Sequence, residues 1–426
     1  MIRSHIRRGA MLALVVAAPA CRASHTGPRA TLEPDSLAFR RDISYLAGDA
    51  LAGRLTGTPG NDSAAVFIAR RYAALGLRPM SGGYLQRFVA RPPVRGGTSP
   101  SLPTQNVFAV LPGRDPALRG EYIVIGAHFD HLGTSTEGAM DPDDKSAVRR
   151  GADDNASGTA AVLELARLLA AAPTRRSIIF ANFSGEEEGL LGSAYFVEHS
   201  PVPIDSIDAM LNFDMVGRLR NDKLIVYGIM TAKEFPSLLD SANALGHLRL
   251  TAQGDGFGAS DQSSFYAKDI PVLHFFTDLH DDYHRASDVP EHINAAGEAR
   301  VVGVAERIAR EIADRSPRLT FVRTVAAAPM GASREGSDVY LGSIPDMAGG
   351  ETPGLRLTGV RAGSPADVGG LKAGDVIVEF GGKPVKDLFE YSNALYAHKP
   401  GDDVAIVVLR GGQRLTLQVK LAKRGS

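Results

Sequence analysis

The stretch EYIVIGAHFDH, residues 121–131, decides how the chain is read. Residues 122–126 form an apolar run with the length and β-branched content of a buried strand, and the chain beyond it delivers His128, Asp130 and His131. The same plan recurs downstream. Residues 177–183 lead into Ser184-Gly185-Glu186-Glu187-Glu188, residues 210–213 into Asp214-Met215, and residues 272–276 are followed by Asp282-Tyr283-His284. A further run of this kind lies at 224–227, and helical patterns fall at 35–46, 62–75, 157–169, 194–197, 235–245 and 296–313. Asp62 or Ser63 is the expected N-cap of the second helix. Residues 92–103, rich in Pro, Gly and Ser, read as a loop. Buried strands alternating with helices predict an α/β domain, with a mixed, mostly parallel central sheet and helices on both faces. Open sheets of this kind place ligands past the C-terminal ends of their strands, where the polar residues gather here.

Composition narrows the chemistry. At 426 residues and 44% hydrophobic, the chain has apolar material for two or three domains, so disorder as its main state is excluded. Lys and Arg (47) balance Asp and Glu (48), leaving no global field for nucleic acid or an anionic membrane. A single Cys excludes an internal disulfide framework and a cysteine-rich zinc module, so any metal must be held by His, Asp and Glu. That residue, Cys21, follows Arg3, Arg7 and Arg8, an apolar run at 11–18 and the small residues Ala18-Pro19-Ala20. Basic, then apolar, then small is the order of an export signal over 1–21. The Cys also occupies the place acylated in bacterial lipoproteins, although Ala18 and Pro19 depart from the usual pattern there. The expected location is outside the cytoplasm: periplasmic, anchored through Cys21, or secreted.

Gly151-Ala152-Asp153-Asp154-Asn155 opens the helical pattern at 157–169 and brings carboxylates from one more loop. Imidazole and carboxylate without thiolate suit hard or borderline divalent cations. More than three carboxylates converging without a compensating Lys or Arg would repel, and two divalent cations relieve that repulsion. Taken singly, each segment has a plainer reading. A strand-end His is usually a satisfied polar group, a Glu triplet a solvated turn, and Asp153 to Asn155 a set of helix caps. Ser184 is no serine nucleophile, because Gly-x-Ser-x-Gly is absent.

In order and spacing, five segments resemble the family M28 metallopeptidases over about residues 35–312. They are His128-x-Asp130, GADDNASG at 151–158, Glu186-Glu187-x-Gly-Leu-Leu-Gly-Ser193, Asn212-x-Asp214-Met215 and Tyr283-His284-x-x-x-Asp288, preceded by LAGRLTGTPG at 51–60. The resemblance implies a zinc-exopeptidase fold and two Zn2+ ions bridged by Asp154. His128 and Asp214 would complete one site, Glu187 and His284 the other. Glu186 would be the general base, taking a proton from a hydroxide-forming water shared by the metals, and Asp130 would orient His128. Hydrolysis at the N-terminus, by an aminopeptidase, is the leading activity, with carboxypeptidase action not separated from it by the motifs. Asp153, one place out of register, would be a supporting or surface residue, and Glu188 receives no role.

Neighbouring residues keep open readings. Tyr283 is either an oxyanion donor or a stacked core ring; His131 belongs to the loop after the first ligand; His274 is a core histidine. His280 either contacts substrate or lies on the surface, and Asp288 either supports a ligand or caps a turn. Ser260-Asp261-Gln262 departs at Gln262 from a family segment that often reads Ser-Asp-His. Two other functions compete: a glutaminyl cyclase-like acyl transferase with a single zinc, and a catalytically silent peptide-binding protein. The presence of all five ligands and Glu186 favours the peptidase.

Composition shifts at 326–338, and the expected organisation is a signal at 1–21, a peptidase-like domain at 31–317, a linker at 318–336 and a third unit at 337–424. That unit has β-type runs at 355–360, 375–380, 404–409 and 415–421, glycine turns at Gly381-Gly382 and Gly411-Gly412, and one helical pattern at 387–397. Tyr340-Leu341-Gly342-Ser343-Ile344-Pro345-Asp346, GSPA at 363–366, Gly370-Leu371, Gly374-Asp375 and Ile377 resemble a PDZ domain of the bacterial protease-associated kind. The resemblance implies a peptide partner added as a strand, its carboxylate near residues 340–344. Ser343 and Ile344 depart from the commonest loop there, and a bracing module is the other reading. The expected partners are a peptide or protein substrate and a PDZ peptide ligand, with no nucleic acid, and with a membrane only through Cys21.

Overall fold

The computed structural model describes residues 1, 32–80, 82–92, 100–136, 138–254, 256, 260–323, 339–345, 354–360, 363–386, 390–391, 394–395 and 397–423. The expected export signal and Cys21 lie outside these residues. Among them, no helix is long and apolar enough to cross a membrane.

In chain order the larger domain runs α1 (Ser36–Leu46), α2 (Pro59–Ala74), β1 (Leu85–Ala90), β2 (Leu102–Leu111), β3 (Tyr122–His128), α3 (Gly158–Ala171), β4 (Ser177–Phe183), α4 (Leu191–Glu198) and β5 (Ile207–Phe213). It continues with β6 (Lys223–Tyr227), α5 (Phe235–Asn243), β7 (Arg249–Gln253), α6 (Gln262–Tyr266), β8 (Val272–Phe276) and α7 (Ala295–Asp314). The strands form one eight-stranded sheet in the order β1-β2-β4-β3-β5-β8-β6-β7. Its centre, β4-β3-β5-β8, is parallel. β2 joins β4 and β6 joins β8 antiparallel, which makes the sheet mixed.

Alternation along the central strands explains the helices on both faces. Ile123 and Ile125 of β3, with Ile178 and Phe180 of β4, pack with residues of α1, α3 and α7 such as Phe39, Leu163 and Ile308. Val124 and Ile179 turn to the opposite side, against Phe196 of α4 and Phe265 of α6. Both faces are therefore apolar, which is why these strands read as unbroken hydrophobic runs.

The structure corrects several boundaries. α2 begins at Pro59, with Thr58 rather than Asp62 or Ser63 as N-cap: the Thr58 hydroxyl accepts from the Asn61 N–H, and proline suits a first helical position. The expected loop at 92–103 ends inside β2, and β1 and β7 were not anticipated. β2 carries the buried polar residues Thr104, Gln105 and Asn106, which break the apolar pattern that marks β3, β4, β5 and β8. Residues 318–323, expected to open the linker, pack on the larger domain. The Leu319 N–H donates to Asp208 Oδ1 at 3.0 Å, and Phe321 bridges to Ala232.

Arg54 corrects the expectation of carboxylates gathered without a compensating cation. It is fully buried and donates to the carbonyls of Leu46 (2.6 Å), Phe129 (2.7 Å), Arg150 (2.6 Å) and Gly151 (2.9 Å). Burial pulls its pKa down to about 10, against the opposing pull of Asp130, Asp154, Asp288 and Glu187. One guanidinium thus ties the loop after β3 to the loop before Asp154. Arg54→Met leaves these carbonyls and carboxylates uncompensated. It is expected to cost about 3–5 kcal/mol, read as a lowered denaturant midpoint.

The smaller domain is β-rich: β9 (Val339–Tyr340), β10 (Ser343–Pro345), β11 (Leu355–Val360), α8 (Pro365–Val368), β12 (Val376–Phe380), β13 (Lys383–Pro384), β14 (Asp403–Arg410), β15 (Gln413–Lys420) and β16 (Ala422–Lys423). Its main sheet has the order β10-β11-β12-β14-β15. Leu357, Ile377, Phe380, Ile406 and Val408 form its own core. Asp375 of the Gly-Asp pair is buried and accepts two hydrogen bonds from Arg410, at 2.6 and 2.7 Å. Ser364 caps α8. Most of the helical pattern expected at 387–397, and most of the linker, lie outside the described residues.

Candidate metal centre and active site

Four loops that follow the C-terminal ends of β3, β4, β5 and β8 meet the loop that precedes α3. His128, the last residue of β3, is 1% exposed. Its Nε2 lies 3.4 Å from Asp154 Oδ1 and 3.5 Å from Asp214 Oδ1. The other oxygen of Asp154, Oδ2, is 3.0 Å from His284 Nε2, which is also 3.3 Å from Glu187 Oε2. The five residues expected as ligands are thus brought together, with the two Asp154 oxygens facing opposite groups. A sixth candidate joins them: ligand atoms of His131, Asp154 and Glu187 fall within 4.8 Å of one another, as do those of His128, Asp154 and Asp214.

Each of these side chains is held from behind. The carboxylate of Asp288 accepts the N–H groups of Asp153 (2.9 Å) and Asp154 (3.1 Å), so it supports the ligand loop, one of its two expected roles. The side chain of Asn155 donates to the Phe213 carbonyl at 2.9 Å and accepts from the Gly158 N–H at 2.8 Å, lacing the Asp154 loop to the end of β5. Asp153 is buried and accepts from the Gly217 N–H at 2.7 Å, with His280 Nε2 3.1 Å away. His280 is itself buried against Asp153, which corrects the reading that places it on the surface.

His284 is gripped by the segment between Gly133 and Arg149. Its Nδ1 is 2.9 Å from the Gly138 carbonyl, which fixes a proton on Nδ1 and turns Nε2 toward Asp154 and Glu187. The Met140 N–H donates to the His284 carbonyl at 3.0 Å. Buried Arg149 closes this segment by donating to Asp141 Oδ1 (2.6 Å) and to the carbonyls of Asp141 (2.7 Å) and Ser135 (3.0 Å). Tyr283 stacks on the His284 ring with centroids 3.8 Å apart.

Asp130 meets His128 through its main chain more closely than through its side chain. Its carboxylate is 3.7 Å from His128 Nδ1, and the nearer acceptor for that nitrogen is the Asp130 carbonyl at 3.2 Å. The carboxylate accepts the N–H groups of Glu186 and Glu187, each at 3.3 Å, and so positions the turn that carries both. Glu186 is 5% exposed. Glu188, given no role by the sequence, lies with Oε2 2.7 Å from the Thr56 hydroxyl; burial, with Asp130 nearby, pushes its pKa up to about 8. His274 sits in β8 beside Asn212, 3.0 Å away, with its pKa pulled down to about 4 by burial, as suits a core histidine. Ser260 and Gln262 accept from Asn212 Nδ2, at 2.8 and 3.1 Å, so their segment packs behind Asp214. The Ser184 hydroxyl bonds to Thr104 and Asn61 and, among the described residues, to no histidine.

The electrostatics suit bound cations. Burial lowers the pKa of His128, but Asp214 and Asp130 outweigh it and hold the imidazole well above its usual range. For His284, Glu187 and Asp154 do the same. A field that draws protons onto both rings is one that divalent cations satisfy with both rings neutral. Nitrogen and oxygen donors in this arrangement suit zinc.

Residues 106–308 match the model of Peptidase family M28, and residues 332–421 match that of a PDZ domain. Aminopeptidase YwaD of Bacillus subtilis is 32% identical over 178 residues, 38% of this chain and 38% of that protein. A probable zinc metalloprotease of Leptosphaeria maculans is 33% identical over 187 residues, 42% of this chain and 40% of its own. The chain therefore spans about two fifths of the length of the curated relatives it matches. Among solved structures, BSAP, a zinc aminopeptidase from Bacillus subtilis, superposes with a TM-score of 0.55 at 17% identity, covering 68% of this chain and 98% of that one. A glutaminyl cyclase from Porphyromonas gingivalis gives 0.55 at 19% identity, covering 66% and 99%. At these identities the two structures share the fold.

Proposed function

For a chain that carries an M28 peptidase domain followed by a PDZ domain, we propose the activity of an exported zinc-dependent aminopeptidase. The observation that carries this reading is Asp154, whose two oxygens face His128 and His284 on opposite sides. His128, Asp214 and Asp154 would hold one zinc ion, and Asp154, Glu187 and His284 the other. Bound there, the pair supplies charge that polarises the scissile carbonyl and acidifies an attacking water. Glu186 takes the proton of that water and returns it to the leaving amine. Asp130, through the N–H groups of Glu186 and Glu187, keeps base and ligand on one fixed turn.

Two cation groups sharing a carboxylate favour this reading over a cyclase with a single zinc. The basic, apolar and small residues over 1–21 support export, and Cys21 supports a lipid anchor. In the PDZ domain, β10 ends the strand order and is the edge to which a peptide would add.

Metal quantification paired with an aminoacyl-arylamide panel tests the proposal. Two zinc equivalents per chain are expected, with hydrolysis lost to a chelator and restored by zinc, and with N-acetylated substrates resistant. One equivalent, together with pyroglutamyl product from an N-terminal Gln peptide, would install the cyclase reading instead. Full zinc loading without turnover of either kind would leave a peptide-binding protein.

A further inference from the structure

We infer that His131 is a positioning residue for the second cation site, its Nδ1–H holding one oxygen of Glu187 so that the other is presented to the cation. The inference rests on the two-ion reading above. His131 is fully buried, and its Nδ1 lies 2.9 Å from Glu187 Oε1. Glu187 Oε2 is left 3.3 Å from His284 Nε2. The terminal torsion of a glutamate is broad and roughly two-fold, so an unpinned carboxylate exchanges its oxygens and swings. Pinning Oε1 removes that freedom.

The ring is itself locked by its neighbours. A Cβ on Gly151 would stand 2.4 Å from His131 Cγ, so the loop leading to Asp154 admits the imidazole only because residue 151 is glycine. Gly151 also has φ +60°, a conformation that side-chain-bearing residues rarely take. On another side the ring meets His284 edge-on, with centroids 5.6 Å apart. One imidazole thus touches all three loops that supply Asp154, Glu187 and His284.

The alternative is that His131 is itself a ligand. Two observations argue for positioning. An imidazole that binds a metal almost always anchors its other nitrogen to an acceptor. His284 does so through the Gly138 carbonyl at 2.9 Å, whereas His131 Nε2 is buried with no hydrogen-bond partner among the described residues. His284 Nε2 also approaches both carboxylates, at 3.0 and 3.3 Å, while His131 Nδ1 is 3.8 Å from Asp154 and at hydrogen-bond distance from Glu187 alone.

Zinc titration of the metal-stripped full chain tests this, comparing His131→Asn and His131→Gln with the unaltered protein. Asparagine places an amide N–H near the position of Nδ1, and glutamine places it near Nε2. His131→Gln is expected to weaken the second zinc by about 10–100-fold while the first stays within about twofold, and His131→Asn to recover most of the loss. Equal second-site affinity in all three proteins would overturn the inference. So would a loss as complete as that of His284→Ala which asparagine fails to restore, since His131 would then be a ligand. A single zinc class in the unaltered protein would overturn the two-ion reading and, with it, this inference. The three failures give different titration curves.

Discussion

Replacing Glu186 with Gln is expected to lower kcat on an aminoacyl-arylamide by about a thousandfold or more, with zinc content and KM nearly unchanged. The substitution is almost isosteric, and the Glu186 N–H that donates to Asp130 is untouched, as is that of Glu187. The turn therefore keeps its shape, and Glu187 keeps its place beside His131 and His284. What is lost is the capacity to accept a proton from water and deliver it to the leaving amine. A thousandfold loss corresponds to about 4 kcal/mol of barrier. The measurement needs three numbers from one preparation: kcat, zinc per chain, and the melting temperature. Loss of kcat at full zinc loading and an unchanged melting temperature assigns the base. Retained turnover would remove Glu186 from that role and turn attention to Glu188, which stands on the same turn beside Thr56.

What the sequence disclosed, and what it withheld, divides along a physical line. β3, β4, β5 and β8 were legible because both of their faces are buried and their residues are continuously apolar. The ligand candidates were legible because His, Asp and Glu at strand ends carry their chemistry in their side chains. β1 and β2 were hidden by their polar residues, of which Thr104, Gln105 and Asn106 are buried through hydrogen bonds made to distant segments, such as Asn106 to the Gly192 carbonyl. The supports of the site were hidden for a related reason. His284 is oriented by the main-chain carbonyl of Gly138, and Arg54 works through four carbonyls. A carbonyl belongs to every residue and leaves no mark on the sequence. His131 was in plain view, directly after Asp130, but nothing in the spacing says that its ring turns toward Glu187 across a gap of 56 residues.

Asp154→Ala is expected to release both zinc ions together and to lower hydrolysis by about ten-thousandfold or more. Its carboxylate is divided between the two groups. Oδ1 is the oxygen near His128 and Oδ2 the oxygen near His284, so one deletion strips a ligand from each group and removes the negative charge between them. The loop itself should survive, because Asp288 holds it through main-chain N–H groups that alanine retains. Asp214→Ala, by contrast, touches only the group of His128 and should cost one ion. Asp154→Asn separates sharing from mere proximity: an amide has one oxygen to offer, so at most one of the two groups can keep its bridge. Zinc per chain should therefore fall from two to none in the alanine variant, and to one or fewer in the asparagine variant, with circular dichroism unchanged. If Asp154→Ala still held one ion as tightly as the unaltered protein, the two groups would be independent. The bridging aspartate, and with it the shared-centre chemistry, would have to be given up.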